Sequence, residues 1–294
     1  MEQHKAGFVT IMGNPNVGKS TLMNKLIGEK LSIITPKAQT TRHRIFGIIN
    51  ADDFQIVVSD TPGIINPHYS LHKSMMHFVD IALQDADIVL YVTDIHDNPE
   101  KNPIYIERVA ISDTPTLVII NKMDLSDQAQ IENLVEEWKQ RIPKAQILPI
   151  SALRKVNIDL VLSFILKNLP VSPPYFAKDE LTDKTMRFIV SEIIREKIFL
   201  LYKKEIPYSV EVVVESYKEE DNKVVIEAVI YTERDTQKRI LIGHQASMIK
   251  KVGIDARKDI EAFIEKHVYL KLHVKVDPDW RNSDLKLKRY GYIQ

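Results

Sequence analysis

The chain contains no cysteine among its 294 residues. Disulfides, thiolate metal sites and cysteine nucleophiles are thereby excluded, which fits a reducing compartment. No apolar run approaches the roughly 18 residues that a membrane-crossing helix requires, so no transmembrane segment is expected. The first residues, MEQHKAGFVTIMG, show no basic start, long apolar run and small-residue cleavage site, so no signal peptide is expected either. A cytoplasmic protein is the reading. Charge of one sign is also missing: 40 Lys and Arg balance 40 Asp and Glu, which argues against a nonspecific polyanion binder. The balance is uneven locally. Lys238, Arg239, Lys250, Lys251, Arg257 and Lys258 cluster in one stretch, and Arg281, Lys286, Lys288 and Arg289 crowd the C-terminal tail. On charge alone, a solvated helix face and a polar tail explain these as well as a ligand does.

What is present falls into two patterns. In the first half, short apolar strands alternate with segments of helical spacing. GFVTIMG, RIFGIIN, FQIVVSD, DIVLYVTD, TLVIINK and QILPIS read as strands. RIFGIIN and FQIVVSD are joined by three residues, short enough for an antiparallel hairpin. Helices are expected over 19–28, 70–84, 101–111, 127–141 and 156–168. Strict alternation implies an open, mostly parallel α/β sheet with one antiparallel hairpin. The stretch LPVSPPYF then places three prolines in eight residues, which marks a linker. Beyond it the order becomes α-β-β-α-α-β: an amphipathic helix over about 179–202, strands YSVEVVVESY and KVVIEAVIYTE around a KEEDN turn, two helical segments, and the strand YLKLHVKV. The expected division is 1–169 for an α/β domain, 170–178 for the linker and 179–294 for an α+β domain.

Four motifs follow strands in the first half. GNPNVGKS supplies Gly13, Asn14, Pro15, Asn16, Val17, Gly18, Lys19 and Ser20, with Thr21 next, and fits G-x-x-x-x-G-K-[ST]. Glycines let the backbone N–H groups turn inward at a helix N-terminus that already favours anions. Lys19 is expected to reach the β- and γ-phosphates, and the Ser20 hydroxyl to take a Mg2+ position. A chance match is on the order of one in a hundred for a chain of ordinary glycine usage. DTPG places Asp60 for Mg2+ and the Gly63 N–H for the γ-phosphate. NKMD supplies Asn121, Lys122 and Asp124. A carboxylate there accepts two hydrogen bonds from guanine and would be left unpaired by adenine. SAL, at Ser151, Ala152 and Leu153, offers a backbone N–H to the guanine carbonyl. Lys19, Thr41, Asp60 and Gly63 make up the expected catalytic set.

These motifs, in this order, resemble the P-loop GTPases of the translation-factor-related class. KAQTTRHRI between the first two motifs, the proline linker, and an α-β-β-α-α-β domain ending in LKLHVKVDPDWR narrow the resemblance to the Era family of bacterial ribosome-assembly GTPases, over essentially the whole chain. The resemblance implies a type II-like KH domain that binds RNA. It implies Thr41 as the switch threonine on Mg2+, with the adjacent Thr40 as the alternative. Ile64 stands where Ras-like enzymes carry a water-orienting glutamine, so slow intrinsic turnover is expected. Asn16 occupies the position at which related GTPases bind K+. In a KH domain a G-x-x-G loop clamps single-stranded backbone. Here that loop is Gly243, His244, Gln245 and Ala246, with alanine at the final glycine, where a methyl disfavours positive φ. Lys250 and Lys251, with Arg281, Lys286 and Lys288 of the tail, complete the expected RNA contact. The alternative reading of the loop is a plain helix–helix turn.

The resemblance implies GTP and GDP as ligands, and the 3′ end of small-subunit ribosomal RNA and the assembling subunit as partners. It also implies a monomer with peripheral contact at the inner face of the cell membrane. A GTPase acting on tRNA and a membrane regulator without an RNA role are the rival functions. His68, His72 and His77 read as solvated side chains rather than metal ligands.

Overall fold

A computed structural model describes residues 3–293. The chain divides into two compact units. The first comprises the chain up to Ser32, Thr41–Pro67 and Met75–Asp183; the second comprises Ile33–Thr40, His68–Ser74 and the chain from Lys184 onward.

The first unit is built on β1 (Lys5–Met12), β2 (Ile45–Asn50), β3 (Phe54–Asp60), β4 (Ile88–Asp94), β5 (Thr116–Asn121) and β6 (Gln146–Pro149). Its helices are α1 (Lys19–Ile27), α2 (Ser70–Gln84), α3 (Pro103–Ile111), α4 (Gln128–Arg141) and α5 (Ile158–Asn168), α2 entering at Met75. The sheet order is β2-β3-β1-β4-β5-β6. Only β2 and β3 pair antiparallel. Strands β4 and β5 are buried at every position, which is why they read as unbroken apolar runs. The C-terminal ends of β1, β3, β4 and β5 deliver Gly13, Thr61, Ile95 and Lys122 to one edge of the sheet, the place where open α/β sheets bind ligands.

The proline-rich segment runs extended along this unit. Lys5 and Val171 form an antiparallel bridge. The wholly buried Gln55 accepts from the Tyr175 and Phe176 N–H groups at 2.7 and 3.0 Å. The Ile48 N–H donates to Leu181 at 2.9 Å, and the Phe46 N–H to Asp183 Oδ1 at 2.9 Å. The last two contacts engage Leu181 and Asp183, within the stretch that the helical spacing assigned to the start of a helix. That helix, α6, runs Met186–Leu201 instead, and the Thr185 hydroxyl caps it by accepting from the Phe188 N–H.

The second unit contains α6, α7 (Ile206–Ser209), β7 (Glu211–Glu220), β8 (Lys223–Thr232), α8 (Asp235–Ile242), α9 (Ser247–Ile264), β9 (His267–Val276) and α10 (Asp284–Arg289). The sheet order is β7-β8-β9, with β7–β8 antiparallel and β8–β9 parallel. Strand pairing continues to Glu220 and resumes at Lys223, so the expected five-residue turn shrinks to Asp221 and Asn222. One core joins Ile193, Ile194, Ile198, Ile226, Ile230, Val252, Ala256 and Ile260 from α6, β8 and α9. Each buried Ile or Val contributes about 1.5–3 kcal/mol.

The tail also departs from the expected solvated, polar segment. It folds as α10, with Leu287 wholly buried, and the buried Trp280 packs against Tyr290 and Tyr292. Within the segment His68–Ser74, His72 is 4% exposed and its ring lies 3.8 Å from that of Tyr69. The solvated reading of His72 is therefore wrong; an aromatic neighbour covers it.

Helix α6 carries a charged face that is buried too. Arg195 pairs with Glu192 at 2.5 Å. Lys197 pairs with Asp259 and Glu196. The segment Ile33–Thr40 lies along this face: the Ile34 N–H donates to Glu196 Oε1 at 3.1 Å, and Arg195 donates to the Thr40 carbonyl. Lys37 donates to the carbonyls of Phe199 and Tyr202, the last of the helix, where a cation suits the orphan acceptors.

Candidate functional site

The loop between β1 and α1 curls because its backbone enters regions closed to most residues. Gly13 has φ 144°, and a Cβ there would stand 2.0 Å from the Val92 carbonyl oxygen. Gly18 has φ 98°, and a Cβ there would meet Asn121 Nδ2 at 2.2 Å. Asn16 adopts φ 66° without glycine's freedom, as asparagine does more readily than most residues. Pro15 and Val17 complete the curl, and Thr21 sits in the first turn of α1. Lys19 is buried, with Nζ donating to the Gly13 and Asn14 carbonyls at 3.0 and 2.8 Å. Burial lowers its pKa to about 8, against the opposing pull of Asp60 and Asp97. The ammonium is thus held within the loop that a phosphate would enter.

Three oxygens converge below it. Ser20 Oγ donates to Asp60 Oδ2 at 2.7 Å and lies 2.9 Å from Thr41 Oγ1. Thr41 in turn reaches Asp60 Oδ2 at 3.4 Å. Thr40 points elsewhere: its hydroxyl donates to the Lys37 carbonyl at 2.7 Å and neighbours Thr35 at 2.6 Å. Asp60 is wholly buried, and its Oδ1 has no hydrogen-bond partner. Burial pushes its carboxyl above the usual range, opposed by the Ser20 hydrogen bond and Lys19. Two hydroxyls and an orphaned buried carboxylate oxygen form a hard oxygen donor set that fits Mg2+.

The base-binding end is tied to the phosphate end. Asn121 Nδ2 donates to the Val17 carbonyl at 2.8 Å, and its Oδ1 accepts from the Ala152 N–H at 3.0 Å. Lys122, at φ 64°, donates to the Asn16 carbonyl at 2.8 Å and pairs with Asp94. Ser151 is buried, and its Oγ accepts from the Arg154 N–H at 3.1 Å. Asp124 has Arg154 at 3.9 Å as its charged neighbour. The Leu153 side chain is exposed. Asp94 and Asp97, which brace Lys122 and Asn14, belong to no motif. Their only signal is their place at the end of a buried strand and just after it. Ile64 follows Gly63 and is buried; an aliphatic side chain cannot orient a water.

In the second unit the loop between α8 and α9 carries three residues at positive φ. Gly243 has φ 72°, Gln245 φ 49° and Ala246 φ 60°, all left-handed. The alanine thus adopts the conformation its methyl disfavours. His244, Lys250 and Lys251 are exposed beside it. The tail residues differ among themselves. Arg281 pairs with Glu233, and Lys286 pairs with Asp277 at 2.5 Å, whereas Lys288 is exposed. No helix among the described residues is long and apolar enough to cross a membrane.

Residues 8–122 match the family described as 50S ribosome-binding GTPase, and residues 205–281 match the KH domain family. The chain is 41% identical to GTPase Era of Staphylococcus haemolyticus, over all of this chain and 99% of that one. It is 44% identical to the chloroplastic GTPase ERA-like protein of Oryza sativa subsp. japonica, over 98% of this chain and 70% of that one. A crystal structure of Era with MgGDPNP and nucleotides 1506–1542 of 16S ribosomal RNA superimposes with a TM-score of 0.94 and 38% identity, covering 99% of this chain and all of that one. A variant of Aquifex aeolicus Era bound to GDP·AlF4− matches with the same score, identity and coverage. Full-length likeness in sequence and in fold, together with a phosphate loop, an oxygen cluster for Mg2+ and a KH loop in one chain, places this protein in the Era family of GTPases.

Proposed function

We propose that the protein is a GTP-hydrolysing switch that binds the 3′ end of small-subunit ribosomal RNA and acts in assembly of that subunit. The observation that carries this reading is the cluster of Ser20, Thr41 and Asp60 beneath the phosphate loop. It sits in the same chain as a left-handed KH loop, and a relative of the same fold holds MgGDPNP and 16S ribosomal RNA together.

The roles divide by residue. Backbone N–H groups of Gly13–Ser20 cradle the phosphates, with Lys19 on the β- and γ-oxygens and Thr21 beside them. Ser20, Thr41 and Asp60 hold Mg2+, which neutralises charge developing between those oxygens. The Gly63 N–H meets the γ-phosphate. Asn121, Lys122 and Asp124, with the loop Ser151–Leu153, select guanine. Ile64 leaves the water to be placed by backbone or by a partner, so intrinsic turnover is slow. K+ beside Asn16 accelerates hydrolysis; equal rates in Na+ and K+ buffers would remove that element.

Gly243–Ala246, Lys250 and Lys251 hold the RNA backbone, with Lys288 in the outer contact. Residues 1–169 form the GTPase domain, 170–178 the linker and 179–294 the RNA-binding domain. The chain works as a cytoplasmic monomer with peripheral contact at the inner face of the cell membrane, which light scattering and liposome flotation test.

The deciding experiment measures binding of a ribosomal 3′-end RNA by fluorescence anisotropy, with GDP and with a non-hydrolysable GTP analogue, while titrating salt. The reading requires tighter binding in the GTP-like state, with a salt slope of a few phosphates. Equal binding in both states would leave a GTPase without an RNA switch.

A further inference from the structure

Asn102 occupies the N-cap of α3, just before Pro103 at the first helical position. Asparagine is favoured at such a position because its side chain accepts from the next turn. Asn98 does this four residues earlier, accepting from the Glu100 N–H at 2.9 Å. Asn102 does not cap its helix. Its amide is turned instead toward the phosphate loop, where Nδ2 donates to Asn14 Oδ1 at 2.6 Å and to the Ile64 carbonyl at 3.2 Å.

The polarity of this network admits one assignment. Both Asp97 oxygens accept from Asn14 Nδ2, at 2.8 and 3.0 Å, so the Asn14 carbonyl end must face Asn102. A main-chain carbonyl can only accept. Asn102 therefore meets two acceptors with its one NH2 group, which has two donors. Asn14 itself is 2% exposed, so an unpaired group there would be costly. The other side of Ile64 is also tied down: its N–H donates to the Gly13 carbonyl at 3.1 Å. Gly63 meanwhile lies so close that an added Cβ would stand 2.8 Å from Pro15 Cα.

We propose that Asn102 is a positioning residue for GTP hydrolysis: its amide holds the Ile64 carbonyl, and through it the Gly63 N–H, in register with the phosphate loop. The same structure sets Thr41 beside Ser20 and Asp60. In a chain without a water-orienting glutamine, the main chain around Gly63 carries more of the alignment, and a restraint on that main chain acts on rate rather than on affinity.

The inference rests on the GTP-hydrolysis reading. The test is single-turnover GTP hydrolysis by the full chain and by Asn102→Ala and Asn102→Asp, with fluorescent-GDP affinity and melting temperature measured alongside. Asn102→Ala is expected to lower the rate roughly tenfold, with KM and GDP affinity within about twofold of the parent. Asn102→Asp, nearly the same shape, is expected to fall lower still, because a carboxylate would face two oxygen lone pairs. A role in packing alone predicts the reverse order, with the isosteric Asp milder than Ala. Parent-like rates in both variants would overturn the proposal. So would equal losses accompanied by a matching fall in GDP affinity and melting temperature. A parent chain without GTP turnover would remove the hydrolysis reading itself and this proposal with it.

Discussion

Ser20 Oγ donates to Asp60 Oδ2 at 2.7 Å, while Asp60 Oδ1, equally buried, has no partner. The carboxylate is therefore half satisfied, and burial raises its pKa. The sign follows directly. An acid whose folded-state pKa is raised opposes folding at pH values above its unfolded pKa, and the opposition fades as pH falls through the folded value. Asp60→Asn removes that charge. The variant is expected to melt higher than the parent when Mg2+ and nucleotide are absent, and to gain nothing from added Mg2+. Its GTP affinity in Mg2+ is expected to drop by at least about tenfold, or roughly 1.4 kcal/mol. A variant that is still stabilised by Mg2+ to the parent's extent would show that the metal is held elsewhere.

Lys19 makes the complementary case. Its pKa of about 8 reflects burial, opposed by Asp60 and Asp97. A base with a depressed folded pKa destabilises the fold at pH values below its folded value, and the cost shrinks as pH rises toward the unfolded value. Phosphate oxygens beside the ammonium restore the charged form, so nucleotide binding is expected to take up a proton near pH 8.5. Calorimetry in two buffers of different ionisation enthalpy measures this directly. Apparent binding enthalpies that do not depend on the buffer would contradict it.

Much of this is legible in the sequence. Strands β4 and β5 are buried on both faces, so their sequences announce themselves. Each of the four nucleotide motifs is contiguous in itself and needs no tertiary information to read. Less legible were features made by distant segments. Helical spacing begins at 179, but Leu181–Asp183 bond to β2 and the helix starts only at Met186. The charged face of α6 reads as solvent-facing, yet Ile33–Thr40 covers it. Asn102 and Asp97 are ordinary polar residues in a loop; only proximity to Asn14 distinguishes them. Arg281 and Lys286 add to a basic tail on paper, whereas Glu233 and Asp277 answer their charges in the fold.

Ala246 sits at φ 60° and ψ 22°. A left-handed alanine costs about 1–2 kcal/mol, which glycine avoids. Ala246→Gly is expected to raise the melting temperature of the RNA-binding unit by a few degrees, and to bring RNA phosphate closer to the loop. Melting curves and anisotropy on the same samples separate the two effects. An unchanged melting temperature would mean that the loop relaxes in the variant rather than keeping this shape.

The Arg281–Glu233 pair sets a limit on the RNA surface. A guanidinium already matched by a carboxylate gains little by moving to a phosphate, because it must leave one anion to meet another. Arg281→Ala is therefore expected to alter RNA affinity by no more than about twofold, well below the effect of removing an unpaired phosphate contact. Glu233→Gln tests the same pair from the other side. With the carboxylate neutralised, Arg281 is available, and RNA binding is expected to tighten severalfold while the salt slope steepens by about one phosphate. Anisotropy titrations at several salt concentrations read both quantities. A loss of affinity in Arg281→Ala, with no gain in Glu233→Gln, would place Arg281 in the RNA contact despite its partner.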